Sequence, residues 1–131
     1  MDFSAGTIIK INEYLIEIHF SKDVEIDEKL SVEILGIILS LSDSKPHALL
    51  YDFNNKNIII ADVTRKISAA RSYINANLIA RAFVTQNIAS SMESAFYIKN
   101  GNPASETLLF DTRQKAIDWL NIKVKQFLKP A

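Results

Sequence analysis

Ala48-Leu49-Leu50-Tyr51-Asp52-Phe53 is the stretch that most limits what this chain can become. A polar breaker, Asp43-Ser44-Lys45-Pro46-His47, precedes it, and Asn54-Asn55-Lys56-Asn57 follows. A short apolar run between turn signals reads as a strand buried on both faces. Such a strand belongs inside a sheet with helices on both sides. In open α/β sheets, sites form beyond the carboxyl ends of the strands, so Asp52 and Asn54 are the first candidates for contact with a ligand or partner.

The rest of the chain supplies neighbours for that strand. Thr7 to Ile11 and Tyr14 to Phe20 read as a hairpin around Asn12-Glu13. Tyr14, Ile16, Ile18 and Phe20 share one face, and Leu15, Glu17 and His19 take a wetter one. Asp27 is placed to cap a helix from Glu28 to about Ser42, with Leu30, Ile34, Ile37, Ile38 and Leu41 as its apolar stripe. Ile58 to Tyr73 has two readings. Ile60, Val63, Ile67, Ala70 and Ile74 recur at helical spacing, and Asp62 and Lys66 would pair at i and i+4, which favours a helix starting near Ala61. The rival reading makes Ile58-Ile59-Ile60 a strand and starts the helix at Thr64. Leu78 to Gln86 reads as a strand. Asn87 then caps a helix whose buried stripe is Ile88, Met92, Ala95 and Phe96, ended by Gly101-Asn102-Pro103. Thr107 to Phe110 is a brief strand. Asp111 with Gln114 forms a capping box for a last helix that turns Ala116, Ile117, Leu120, Val124, Phe127 and Leu128 inward. The order β-β-α-β-α-β-α-β-α predicts one α/β domain over residues 1–131. Its sheet is a single mixed layer, an antiparallel hairpin followed by parallel strands, with helices packed against it.

Composition removes several functions. The 131 residues contain no cysteine, which excludes disulfides, thiol catalysis and cysteine-ligated metals. Fifteen basic and fifteen acidic residues cancel, and no Lys/Arg run stands out, so no nucleic-acid partner is expected. Zero net charge also removes one brake on self-association. No basic, then apolar, secretory segment opens the chain, and no apolar run approaches the ~18 residues of a membrane span. The expectation is a cytoplasmic protein.

Four pieces of sequence are similar to the STAS-type domain, the fold of bacterial anti-sigma-factor antagonists, and more closely to an uncharacterised bacterial branch described as STAS-like or lipid-transfer (CRAL-TRIO-like). They are Leu49-Leu50-Tyr51-Asp52; Ala82-Phe83-Val84 running to Asn87; Ala95-Phe96-Tyr97-Ile98-Lys99 with Pro103; and Leu109-Phe110-Asp111 with Ala116-Ile117-Asp118-Trp119-Leu120. The resemblance implies a regulatory interaction module, a regulatory protein partner and a homodimer. Antagonists of this fold carry an Asp-Ser-Ser-Gly-type motif whose serine is phosphorylated. No such motif stands between Phe53 and Ile67; the hydroxyls nearby are Thr64 and Ser68, the candidates for phosphorylation.

Reactive groups are sparse. The two histidines, His19 and His47, sit on a hairpin face and in a loop, where lone histidines are commonly surface residues. Separated as they are, they give poor support for a metal site. Three glycines, none in the loop after Asp52, exclude a P-loop or dinucleotide fingerprint. Arg65 and Lys66 at the amino end of the second helix are the remaining place for a nucleotide, although basic residues in helices usually form a solvated face. An acid ending a buried strand must be hydrated, hydrogen-bonded or paired, and Arg71 is one available partner for Asp52. Met92, Phe96 and Tyr97 exceed a single core stripe, which suggests a dimer surface or an apolar ligand. No cofactor, metal or catalytic group is expected. The leading function is a non-enzymatic interaction module. A small carrier or sensor of an apolar or lipid-like ligand is the alternative, and a hydrolase or transferase comes third. The candidate surface comprises Asp52, Asn54, Thr64, Arg65, Arg71, Met92, Phe96 and Tyr97.

Overall fold

The structure, a computed structural model, describes residues 1–60, 77–100 and 106–129. In chain order its elements are β1 (Asp2–Phe3), β2 (Gly6–Asn12), β3 (Leu15–Phe20), β4 (Val24–Ile26), α1 (Glu28–Ser42), β5 (His47–Asp52), β6 (Ile58–Ile60), β7 (Leu78–Val84), α2 (Ile88–Asn100), β8 (Thr107–Phe110) and α3 (Arg113–Leu128). Six strands make the main sheet in the order β1-β2-β3-β5-β7-β8. The pairs β1–β2 and β2–β3 run antiparallel, and β3–β5, β5–β7 and β7–β8 run parallel. This is the expected mixed α/β sheet. Two short strands were not expected, β1 on the edge and β4, which pairs in parallel with β6 to form a small second sheet. Ile58–Ile60 is thus a strand, as the rival reading had it. The helix readings near Ala61 and Thr64 fall outside the described residues.

The run Ala48–Leu50 is buried on both faces, because alternate residues meet different helices. Leu49 joins Ile8, Ile16, Ile18, Phe20, Phe53 and Phe83 against Leu30, Ile34 and Ile38 of α1. Ala48 and Leu50 join Leu15, Ala80, Ala82 and Val84 against Ala116, Leu120 and Val124 of α3. On the second face, alanines on strand and helix let α3 lie close to the sheet. Each large apolar side chain fully removed from water contributes roughly 1.5–3 kcal/mol. Asp27 caps α1 as expected, its Oδ1 accepting from the Leu30 amide at 2.9 Å.

Three packing expectations need correction. The cap of α3 is Thr112, whose Oγ1 accepts from the Lys115 amide, while Asp111 pairs with Lys115 Nζ at 3.0 Å and Gln114 Nε2 donates to Asp118. Phe127 and Leu128 are exposed rather than inward, because the last turn of α3 runs beyond the apolar face. The largest change is in α2. Ile88 is 78% exposed, Met92 69% and Phe96 51%, whereas Ser90 and Ser94 are fully buried. The reason is the free edge of β6. Ser90 Oγ accepts from the Ile58 amide at 2.8 Å and donates to the Lys56 carbonyl at 2.6 Å, and Glu93 Oε2 accepts from the Ile60 amide at 3.4 Å. Buried backbone amides need partners, so α2 turns its polar stripe inward to supply them and its apolar stripe outward.

His47 also differs from expectation. It opens β5 and is 2% exposed. Its Nδ1–H donates to the Lys45 carbonyl at 2.7 Å, while buried Nε2 has no partner. Burial lowers its pKa from 6.5, and the smaller effect of the Lys45 carbonyl opposes that. The unfolded chain therefore takes up this proton first. Its contribution is intact above about pH 6.5 and is lost as pH falls toward the depressed folded value. Urea unfolding at pH 7.5 and 5.5 should show the wild type losing more stability on acidification than His47→Gln; equal losses would contradict this.

Candidate functional site

The open side of the sheet is set by what α3 leaves uncovered. α3 packs on β5, β7 and β8, while Ile9 and Ile11 of β2 remain exposed. Cross-strand register lines up Asp2, Thr7, His19 and Asp52 across β1, β2, β3 and β5. Glu17, two residues before His19, falls on the same face. Gly6 lies opposite Phe20, beside this row, and a Cβ there would run into the His19 carbonyl. The close approach of β2 to β3 under the site therefore requires glycine.

Glu17 is the chemical anomaly of this face. It is 5% exposed, between Ile9 and Leu50 on the neighbouring strands. A buried carboxylate needs a partner, and Arg113, the first residue of α3, provides it. Its Nη2 donates to Oε1 at 2.7 Å and its Nε to Oε2 at 3.2 Å. The Glu17 hydrogen bonds raise the Arg113 pKa above its ordinary value, outweighing partial desolvation, and the Asp52 charge adds to the effect. Beside this pair, His19 Nδ1 lies 3.3 Å from Asp52 Oδ2. Asp52 Oδ1 accepts from the Asn54 amide at 2.8 Å. One donor atom each from Glu17, His19 and Asp52 falls within 4.8 Å of the others, a grouping compatible with a metal ion.

The loops at this end are joined by amide side chains. Asn54 and Asn55 take left-handed backbone conformations, φ 51° and 57°, which asparagine tolerates. Asn55 Oδ1 accepts from the Gln86 amide at 2.8 Å, and Gln86 Nε2 donates to the Asp111 carbonyl at 3.1 Å.

Among the candidates, Asp52 and Asn54 come together, and the partners of Asp52 are His19 and the Asn54 amide. Thr64, Arg65, Ser68 and Arg71 lie outside the described residues, as does the Tyr97 side chain. Met92 and Phe96 share a different surface, the outer face of α2. Sequence reasoning missed Glu17 and Arg113. Two signals were present: one acid inside Leu15-Ile16-Glu17-Ile18, and an arginine in a first helical turn, where the helix dipole disfavours positive charge and a specific acid partner is needed.

The fold and this rim define a mixed α/β domain with a charged cluster on the open half of its sheet. The chain belongs to the family described as a domain of unknown function, DUF7793, whose model matches residues 9–123. No curated protein and no solved structure matches it. Among the described residues, no helix is long and apolar enough to cross a membrane.

Proposed function

We propose that this is a cytoplasmic, non-enzymatic interaction and regulatory module of the STAS-like kind, which pairs with a second copy of itself through the outer face of α2. The inside-out orientation of that helix carries the reading. Exposed apolar side chains grouped on one face mark interaction surfaces more often than isolated ones do. Ile88 and Met92 stand one turn apart, followed by Phe96, and Ala89 and Ala95 are exposed beside them. Glu93 is drawn toward β6, so it does not put a charge between them. An i, i+4, i+8 ridge is self-complementary across a two-fold axis, as an isologous dimer needs. Zero net charge adds no overall repulsion between copies.

Light scattering after size exclusion tests this. The 14.7 kDa chain should run at twice its mass at tens of micromolar. Met92→Glu should run at the monomer mass with an unchanged far-UV spectrum, since Met92 is a surface residue. A wild type that stays monomeric throughout, or a Met92→Glu variant that stays dimeric, would reject the α2 dimer.

A further inference from the structure

The geometry points to a divalent-cation site on the open half of the sheet, with Glu17, His19 and Asp52 as its ligands. It stands independently of the α2 surface. The His19 Nδ1–Asp52 Oδ2 separation of 3.3 Å is the first reason. It is long for a charge-assisted N–H···O⁻ hydrogen bond, about 2.7–2.9 Å. It matches the edge of a tetrahedron around an ion with bonds of about 2.0–2.1 Å, which is roughly 3.3–3.4 Å. The two atoms are spaced as neighbouring ligands of one ion rather than as a tight hydrogen-bonded pair.

The second reason is how the carboxylates are held. Asp52 Oδ1 is occupied by the Asn54 amide and Glu17 Oε1 by Arg113 Nη2, each through a short bond. Asp52 Oδ2 is left toward His19, and Glu17 Oε2 has the longer 3.2 Å contact from Arg113 Nε. Metal-bound carboxylates keep such outer partners, which orient the oxygen that binds. Arg113 need not leave. Two carboxylates and one guanidinium carry a net single negative charge, which suits a dication.

The third reason is the platform. Glu17 and His19 are alternate residues of β3, and Asp52 is paired with His19 in register, so sheet hydrogen bonding fixes their backbones. From a mutual separation of up to 4.8 Å, the donors must draw in by up to about 1.5 Å, a side-chain adjustment. One imidazole and two carboxylates suit zinc, with manganese as a harder competitor. Partly exposed His19 leaves the fourth position to water.

The 131-residue chain, stripped with EDTA, is titrated with Zn²⁺ by calorimetry and with Co²⁺ by visible absorption. One ion per chain is expected, with Co²⁺ bands of a four- or five-coordinate N/O site. His19→Ala and Asp52→Asn should each weaken Zn²⁺ binding by at least about 10-fold, the lower end of what even an outer partner is worth. Asp52→Asn is nearly isosteric and keeps the test valid if His19→Ala fails to fold, with circular dichroism as the check. No Zn²⁺ binding at millimolar concentration overturns the site. Binding by Asp52→Asn equal to wild type also overturns it, since only an adventitious surface ion would behave so.

Discussion

Arg113→Ala is expected to lower stability by about 2–3 kcal/mol, measured by urea unfolding near neutral pH. Breaking a buried ion pair from one side costs about 3–5 kcal/mol, because the remaining charge stays uncompensated. Two effects reduce that figure. Arg113 is half-exposed, so water reaches the vacated side of Glu17. Removing a positive charge from a helix amino terminus also returns about 0.3–1 kcal/mol. The buried carboxylate still dominates the balance. The double replacement Glu17→Met with Arg113→Leu should recover most of the loss, since apolar pairs of similar volume substitute well for buried ion pairs. If Arg113→Ala proves neutral, Glu17 is solvated in a way its burial contradicts.

Phe53→Ala should cost more, about 3–5 kcal/mol, the range for emptying a fully packed phenylalanine site. Phe53 is buried where the chain leaves β5. Its ring meets Phe20 edge-on at 5.5 Å and stacks on Phe83 at 5.4 Å. Phe3 and Tyr51 extend the same row of rings. One truncation therefore removes two aromatic contacts as well as the buried area. Against a net domain stability of about 5–15 kcal/mol, this is enough to populate unfolded chains on modest warming. Thermal melting checks it, with Phe127→Ala as the control. Phe127 is exposed on α3, and its truncation should change stability by less than about 0.5 kcal/mol. A Phe53→Ala loss no larger than that of Phe127→Ala would contradict the packing described.

Where local pattern and tertiary demand agreed, the chain was legible. The Ala48–Leu50 run, the hairpin, the α1 stripe and the parallel order of later strands all followed from period and turn signals. Periodicity failed on α2 because it reports which residues share a face, not which face is buried. There the decision came from the Ile58 and Ile60 amides, whose need for acceptors drew Ser90 and Glu93 inward. The cap of α3 missed by one residue because Asp111 and Thr112 are both competent, and Lys115 draws Asp111 aside. At the site, Asp52 was legible as an acid on a strand end. Its grouping with His19, Glu17 and Arg113 was not, because Glu17 and Arg113 are 96 residues apart. Sheet register sets His19 beside Asp52, and the packing of α3 brings its first residue, Arg113, to Glu17.

The hairpin shifts register between Lys10 and Asn12, so one strand carries an extra residue near its turn. Side chains on a strand alternate with period two, so sliding β3 by a single position would exchange its two faces. Glu17 and His19 would then enter the layer beneath α1, among Ile34, Ile38 and Phe53, on the face away from Arg113. Parting a buried acid from its guanidinium makes the slipped pairing costly, which ties correct assembly of the sheet to the charged cluster.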